Sequence, residues 1–347
     1  MPNRLLRWLP AVVAPAAVAA VAVAVPLSAG AAGSLPDKSP QQVLELVAQS
    51  ESLPGFSGTV SQTSDLGLPQ LPAGIGSGGG TDASAANAVE LLTGSHTARV
   101  FESGKDQRRV QVLDAMGERD LVRNGSDLWL WDAKHDTATH ATMPQRSASG
   151  GTDVQTPADA AKRALDAIDA STTVAVDGSA RIAGRDAYQL VLTPKSSGTT
   201  VGSVNIAVDG VTGLPLQVQV TPKGGTSPAF SVGFTDVTLT KPADSLFDFQ
   251  PPSGATVHQQ AAPQHSSSTG GAKPTVTGSG WDAVMTADPG ASATTDITKG
   301  GVFQQLTKAV NGGRVLSTTL VNVLVTNDGH VLAGAVPVSR LEALAAG

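Results

Sequence analysis

The hydrophobic residues of this chain recur at two different spacings, and each spacing predicts one kind of element. Val43 and Leu46 lie on one face of a helical wheel, and Ser39 and Pro40 before them supply a capping residue and a first-turn proline. The pattern therefore predicts a helix that starts at this pair and ends before Pro54.

A second helical stripe lies farther along the chain. Ala161, Leu165 and Ile168 recur at i, i+4 and i+7, and Thr156 before them can cap the first turn. The stripe continues to Ala170, and its apolar face is rich in alanine. Such a face allows a helix to approach closely the surface that it covers.

Elsewhere the hydrophobic residues alternate with polar ones, which predicts strands, and short turns such as Asn124-Gly125 separate the runs. In the last run Phe230 and Val237 fall out of phase, so we expect a β-bulge there. The predicted strands are Gly55–Thr63, Val89–Phe101, Arg108–Leu113, Glu118–Arg123, Asp127–Asp132 and Thr137–Thr142, then Thr173–Ala183, Ala187–Thr193, Val201–Val208, Leu214–Thr221 and Phe230–Leu239.

This order of elements predicts a mainly β fold of the α+β type. One large curved antiparallel sheet, a half-barrel over residues 35–257, would carry the covering helices on one face. Residues 258–280 have the composition of a flexible linker. Residues 281–347 predict a small α+β module with a helix at Phe303–Val310, a hairpin of Arg314–Thr326 and His330–Val336, and a last helix at Val338–Ala346. We expect this module to dock on the sheet or on a neighbour.

The N-terminus has the features of a secretory signal. Arg4 and Arg7 precede an apolar run to Val25, and Ala29 and Ala31 offer a small-residue cleavage site. We expect residues 1–31 to be removed, and retention as an anchor is the alternative. Either outcome predicts an extracytoplasmic protein, secreted or held at the outer face of the cytoplasmic membrane.

Two of the four tryptophans, Trp129 and Trp131, lie two residues apart in a predicted strand. Because alternate residues of a strand share a face, both indoles point one way, and Leu128 and Leu130 point the other. One interpretation is a core strand buried on both faces. The other is that one face lines an apolar cavity. Rows of apolar residues in later strands, such as the row through Leu216, favour this second interpretation.

Composition and motifs exclude several kinds of function. The formal net charge of −6 argues against a nucleic-acid partner, and the absence of cysteine excludes thiol nucleophiles and thiolate metal sites. His135 lies in a predicted turn and His140 in the strand that follows, a spacing that does not bring the rings together, so we expect no metal. The chain contains no G-x-S-x-G, H-E-x-x-H or Walker-type motif. We therefore expect neither catalytic residues nor a cofactor.

Several segments resemble one family of folds. NGSDLWLWD is similar to a strand of that family in which a turn precedes an aromatic run. AGRDAYQLVLTP, VNIAVDGVTGLPLQVQV and SLFDFQPPSGATV resemble its later strands and its closing F-x-F-x-P-P-x-G. With the order helix, meander, helix, meander, they resemble the LolA-type half-barrel shared by lipoprotein carriers and by sensors of the RseB/MucB type. The resemblance covers about Leu35 to Val257.

The resemblance implies a non-enzymatic protein that holds a lipid, a lipoprotein acyl chain or another apolar ligand in the concave face of the half-barrel. In carriers of this type an arginine in the cavity holds the lid helix, and Arg99 and Arg109 are the candidates for this role. The candidates for the cavity or its lid are Trp129, Trp131, Leu66, Leu68, Leu71, Val43, Leu46, Leu165, Ile168, Tyr188, Leu190, Leu216 and Val218.

Two alternatives remain open at this point. A sensor of the RseB/MucB kind would bind a membrane protein such as an anti-sigma factor and release it when a lipid or lipoprotein signal fills the cavity, and the C-terminal module favours this. A purely structural surface protein would have a filled core and no ligand.

Overall fold

The computed structural model describes residues 35–68, 94–114, 117–142, 156–166, 168–260, 274–288 and 301–346. The expected signal segment, Leu71 and most of the expected linker lie outside these ranges. Among the described residues, no helix has both the length and the apolar character needed to span a membrane.

The helices are α1 (Pro40–Ser50), α2 (Pro157–Asp166), α3 (Gly301–Leu306) and α4 (Val338–Ala345). The first twelve strands are β1 (Gly55–Ser64), β2 (Gly94–Ser103), β3 (Gln107–Asp114), β4 (Gly117–Asn124), β5 (Asp127–Asp132), β6 (Thr137–Thr142), β7 (Thr172–Ile182), β8 (Arg185–Pro194), β9 (Val201–Asp209), β10 (Pro215–Pro222), β11 (Phe230–Thr238) and β12 (Thr256–Gln260). The last six are β13 (Thr275–Thr277), β14 (Val284–Ala287), β15 (Thr307–Val310), β16 (Gly313–Ser317), β17 (Asn322–Thr326) and β18 (Val331–Gly334).

The first twelve strands form one curved, unclosed sheet in the order β12-β6-β5-β4-β3-β2-β1-β11-β10-β9-β8-β7. Two antiparallel meanders, β1–β6 and β7–β11, are joined by the pairing of β1 with β11. The mainly β fold with one large sheet is confirmed. The parallel pairing of β12 with β6 differs from the prediction, because residues 258–260 have the composition of a linker and yet pair as a strand.

The caps predicted for both large-sheet helices are present. Ser39 Oγ accepts from the backbone N–H of Gln42 at 3.3 Å, and the Gln42 side chain accepts from the N–H of Ser39 at 2.8 Å. At α2, Thr156 Oγ1 accepts from the N–H of Asp159 at 3.1 Å, and the Asp159 carboxylate accepts from the N–H of Thr156 at 3.1 Å. Each reciprocal pair satisfies two backbone donors at a helix start.

The end of α2 differs from the prediction. The helix ends at Asp166, and Ile168 lies beyond it, so the stripe to Ala170 is not all helical. The carboxylate of Asp169 accepts from the N–H of Ser171 at 2.7 Å. Such short-range bonds of an Asp side chain to the backbone compete with helix formation, which explains the earlier end.

The predicted bulge is confirmed in β11. Phe234 pairs with Val60 and Asp236 with Thr59, so Thr235 is the extra residue opposite β1. The bulge restores the alternation on either side of it. Phe234 thereby faces the same way as Val60, whereas Val237 follows in the shifted phase.

Cross-strand pairs carry one apolar face across the sheet, and we call it the helix face. It is defined by one residue from each of β8, β9, β10, β11 and β1: Leu190, Ile206, Val218, Val232 and Val60. The first four pair in succession across adjacent strands. Val60 lies in the strand next to Val232, two residues away in register. All five are at most 2% exposed, so the hydrophobic core lies on this side of the sheet.

Both helices of the large-sheet unit lie on the helix face, as predicted. α1 packs against β7 and β8, and α2 packs against β10 and β11. The hydroxyl of Tyr188, which shares its face with Leu190, donates to the carbonyl of Pro36 just before α1 at 2.7 Å. Gly213 sits under α1, where a Cβ would lie 1.9 Å from the carbonyl oxygen of Leu46. Any other residue at position 213 would push the helix away.

The last six strands form a second sheet in the order β13-β14-β18-β17-β16-β15. Two predictions for this module are wrong in detail. The helix predicted to Val310 ends at Leu306, and Thr307–Val310 is a strand paired antiparallel with β16. The strand predicted from Arg314 to Thr326 is two strands, β16 and β17, because Thr318 closes a turn by accepting from the N–H of Val321 at 2.9 Å.

Candidate functional site

Most of the candidate cavity and lid residues meet in one hydrophobic cluster between the helix face and its cover. Ile168 and Leu68 are partly buried at its margin. Ten members of the candidate set belong to this cluster: Val43, Leu46, Leu66, Leu68, Leu165, Ile168, Tyr188, Leu190, Leu216 and Val218. Residues from α1, α2 and two strands, β8 and β10, are thus brought together, although up to 175 residues separate the outermost two in sequence, 43 and 218.

The two tryptophans lie on the other side of the sheet. Trp129 pairs across strands with Val122 and His140, and Leu128, which faces the core cluster, pairs with Arg123 and Ala141. We call the surface that carries Trp129 and Trp131 the opposite face. The expectation that successive residues of β5 face opposite ways is therefore met. The candidate set, however, is divided between two faces.

The closing segment of the large-sheet unit covers the tryptophans. The ring of Phe249 lies 5.5 Å from Trp129 and 6.4 Å from Trp131, measured between centroids. The imidazole of His140 stacks on Trp129 at 4.3 Å. Both indoles remain partly exposed. They form an aromatic cluster under the SLFDFQPP segment and do not face α1 or α2.

A different arginine from the two predicted ones holds a helix. Arg108 of β3 points to the helix face and forms an ion pair with Asp159 of α2, with one of its two bonds, Nη1 to Oδ1, at 3.2 Å. The side chains of Arg108 and Asp159 are 25% and 34% exposed. A two-point pair of guanidinium and carboxylate fixes orientation as well as distance. It ties the first turn of α2 to β3 in the first meander, whereas the helix itself packs on the second meander.

Arg99 and Arg109 lie on the opposite face. Arg99 is exposed in β2. Arg109 forms an ion pair with Asp120 and donates to the carbonyl of Leu246 at 3.2 Å, so it fastens the closing segment rather than a helix. Strand phase is the reason for the difference. Arg108 lies two residues before Val110 and therefore shares its face, and Val110 is buried in the core cluster. This relationship could be read from the sequence alone.

The pKa values of two carboxylates beside Arg108, those of Asp159 and Glu102, are shifted in opposite directions. Burial would raise the pKa of Asp159, but the charge of Arg108 and the hydrogen bonds from Arg108 and Thr156 outweigh it and hold this pKa below the ordinary 3.8. Glu102 pairs across strands with Arg108. Burial raises the pKa of Glu102 above the ordinary 4.5, and the attraction of Arg108 offsets this only in part. The pair of Arg108 with Asp159 is thus the strong contact, and Glu102 is the carboxylate that gains a proton more readily.

The segment after β1, which carries the lid candidates Leu66 and Leu68, is fixed at its first residues. The N–H of Asp65 donates to the carbonyl of Ala229 at 2.8 Å, and the carbonyl of Leu66 accepts from the N–H of Thr319 at 3.0 Å. Leu66 is 7% exposed and belongs to the same cluster as Leu320. The start of the segment is therefore held by the second sheet module as well as by the large sheet.

The second module docks on the end of the large sheet near β8 and β9. Docking on the sheet was one of the two expected arrangements, and docking on a neighbour was the other. The N–H of Thr200 donates to the carbonyl of Ala335 at 2.9 Å. The indole N–H of Trp281 donates to the hydroxyl of Thr172 at 2.8 Å, and its ring packs against the core cluster. The module is thus joined to the same hydrophobic core that the helix face forms.

Within the described ranges, no group of three or more His, Asp or Glu residues could hold a metal ion. His135 bonds to Asp132 at 2.8 Å, and His140 bonds to Asp127 and Gln259 at 3.0 Å each. The two histidines thus have separate sets of partners.

Comparison with known proteins gives one family. Residues 87–249 match the family model described as the MucB/RseB N-terminal domain. This match begins before β2 and ends after the closing 3₁₀ helix Asp244–Phe247, so it includes both meanders from β2 onward and α2. A search of curated proteins finds no match to the chain.

Several solved structures match the chain at low sequence identity. The MucA/MucB complex of Pseudomonas aeruginosa gives 17% identity, covers 88% of this chain and 96% of that one, and has a TM-score of 0.45. An uncharacterised conserved protein of Thermus thermophilus gives 12% identity over 63% of this chain and 98% of that one, with a TM-score of 0.37. A LolA superfamily protein of Nitrosomonas europaea gives 13% identity over 61% and 99%, with a TM-score of 0.26.

Proposed function

Because its residues 87–249 match the MucB/RseB domain, the chain is a member of the LolA-like and RseB/MucB-like superfamily, and we propose that it binds an apolar ligand on the helix face. The proteins of these families are extracytoplasmic and act in binding and regulation, without catalysis. For this chain, the proposed ligand is a lipid or the acyl chain of a lipoprotein. The proposed location is outside the cytoplasmic membrane, in secreted or anchored form.

The observation that carries the proposal is the character of the cover. Among the described residues, two helices of 11 and 10 residues lie on an apolar face shared by many strands. α2 presents Ala160 and Ala161 to the sheet, and its first turn is held by a polar contact, the ion pair between Arg108 and Asp159. An alanine-rich helix fastened at one end by charges can move from the sheet without separating large interlocked side chains.

Acyl chains have the chemistry for such a surface. Each methylene moved from water to an apolar surface contributes about 0.8 kcal/mol, so a chain of about ten carbons outweighs a typical polar contact. A ligand under α2 would replace contacts between Ala160, Ala161 and the valines of β10 and β11.

A titration with dansyl-undecanoic acid tests the proposal, with native mass spectrometry of the purified protein beside it. Ala164→Trp adds bulk on the half-buried side of α2, whereas Lys162→Trp adds the same ring on its exposed side. We expect Ala164→Trp to weaken binding at least about tenfold and Lys162→Trp to leave it unchanged. Absence of saturable binding, together with a bare protein mass, would overturn the proposal.

A sensor role is the second candidate, and the docked C-terminal module together with the MucB/RseB match supports it. The module contacts the core cluster through Leu320 and Trp281. A ligand that displaces α1 or α2 can therefore alter how the module docks on the large sheet. The partner would be a membrane protein such as an anti-sigma factor. In this case a single-span membrane protein retained on the immobilised protein should be released by added acyl ligand, and retention that ignores the ligand would contradict the role.

A further inference from the structure

Two neighbouring polar side chains, Gln62 and His96, interrupt the helix face near the middle of the large sheet, and both are buried. Gln62 of β1 pairs across strands with Val232 of β11 on one side and with His96 of β2 on the other. It shares its face with Val60 in the same strand. Gln62 is only 3% exposed. A carboxamide is thus buried between a valine of β11 and a histidine of β2.

The carboxamide of Gln62 has no partner in the part of the chain that the structure describes. Within the described residues, neither its Oε1 nor its Nε2 has a hydrogen-bond partner, and both atoms are buried. The hydroxyl oxygen of Ser64, the next residue on this face, is likewise buried and unpaired. Buried polar groups in native proteins are almost always paired, because an unpaired one has lost its hydrogen bonds to water without replacing them. An apolar residue at position 62 would avoid this loss.

The unused groups define the ligand that would complement them. A carboxamide offers two N–H donors and one oxygen acceptor. An ester offers acceptors alone and leaves the Gln62 oxygen without a donor. A secondary amide carries one N–H and one carbonyl, and it therefore pairs with both ends of the carboxamide.

We propose that Gln62 binds the amide group of an acyl-amide ligand whose hydrocarbon chain lies on the helix face. This inference rests on the proposed function and adds the polar group of the ligand to it. The hydroxyl of Ser64 provides a second polar contact one step along β1. Valines on either side, Val60 and Val232, receive the first part of the chain.

Two probes with matched chains separate this site from hydrophobic binding alone. N-methyldodecanamide and methyl dodecanoate differ in the N–H group, and both can be measured by displacement of dansyl-undecanoic acid. We expect the protein to bind the amide about tenfold more tightly than the ester, since one bond to an otherwise unpaired buried group is worth about 1.4 kcal/mol. Gln62→Met keeps the length of the side chain, and it should abolish this preference while ester binding remains.

Gln219→Met is the matched control, because Gln219 lies on β10 with its side chain on the opposite face. This variant should keep the preference for the amide. The melting temperature of ligand-free Gln62→Met gives a second result, and it should rise because an unpaired buried amide has been removed. A fall would mean that Gln62 has a structural partner and would overturn the inference.

The two proposals fail differently. Equal binding of amide and ester, or a preference that persists in Gln62→Met, overturns the role of Gln62 and leaves binding on the helix face in place. Failure of the protein to bind either probe overturns both proposals.

Discussion

Arg108 of β3 and Asp159 of α2 form an ion pair across the helix face, and this contact joins the first meander to the helix that covers the second. The Asp159 carboxylate also accepts from the N–H of Thr156 and so completes the helix cap. One side chain thus both starts α2 and fastens it. The position of the cover is therefore sensitive to a single charge.

Removal of Arg108 should loosen α2. Arg108→Ala leaves a half-buried carboxylate without its cation, and we expect the free energy of unfolding to fall by about 1 to 2 kcal/mol, between the effects seen for exposed and buried pairs. Uptake of dansyl-undecanoic acid, followed by stopped-flow fluorescence, should become faster. Arg99→Ala removes an exposed arginine of β2 and serves as the control. Equal uptake rates in both variants would contradict a fastening role.

Motion of α2 can be measured directly because the chain contains no cysteine. Lys162→Cys places one thiol on the exposed side of α2, where a polarity-sensitive dye can be attached. We expect the emission of the dye to change on addition of dodecanoate, and the change to be larger in the Arg108→Ala background. An emission that is the same with and without ligand would mean that α2 stays in place.

Glu102 should make stability depend on pH in the direction opposite to a salt-bridged carboxylate. Its pKa is raised by burial, so the folded protein holds the proton more tightly than the unfolded chain. Stability is therefore lost as the pH rises from about 4.5 through the folded pKa, and the loss is complete above it. Glu102→Gln should raise the melting temperature at neutral pH and have little effect near pH 4.5. A lower melting temperature at neutral pH would contradict this assignment.

Tryptophan emission should distinguish the two faces. In a Trp281→Phe background, the emission of the described residues comes from Trp129 and Trp131, which lie on the opposite face under Phe249. A non-fluorescent ligand such as dodecanoate on the helix face should leave the emission maximum unchanged. A shift of the maximum that saturates with ligand would place the ligand beside the tryptophans instead.

Trp281 should hold the second module in place. Its indole donates to Thr172 at 2.8 Å and its ring packs against the core, so Trp281→Ala should weaken docking by about 2 kcal/mol. We expect faster hydrogen exchange in β17 and unchanged exchange in β9. Val276→Ala, at a position 65% exposed in the same module, is the control. Equal acceleration in β9 and β17 would indicate loss of the whole fold rather than undocking.

Strand bounds were largely predictable because they depend on local signals. β5 and β6 have the predicted bounds, since alternation and tight turns define them within a few residues. The helix starts at Pro40 and Pro157 follow from caps two or three residues long. The β12–β6 pairing was not predictable in this way. It joins residues more than 100 positions apart and leaves no periodic signal in a strand that is exposed throughout.

The candidate site was predicted in part for the same reason. Rows such as Leu190 with Tyr188 were identified because each row belongs to one strand. Arg99 and Arg109 were predicted instead of Arg108, although Arg108 lies two residues before the apolar Val110 and so shares its face. The division of the candidate set between two faces had no comparable signal, because β5 has apolar residues on both faces.

The sequence by itself determined which residues share a face within each strand, where the helices begin, and that no disulfide supports the fold. Only the tertiary structure decided which of the two faces meets the helices, and with it the positions of Trp129, Arg108 and Gln62. The physical reason is that the period of two relates neighbours along one strand. The side that is buried depends instead on the register between strands and on long-range packing, such as the pairing of β1 with β11.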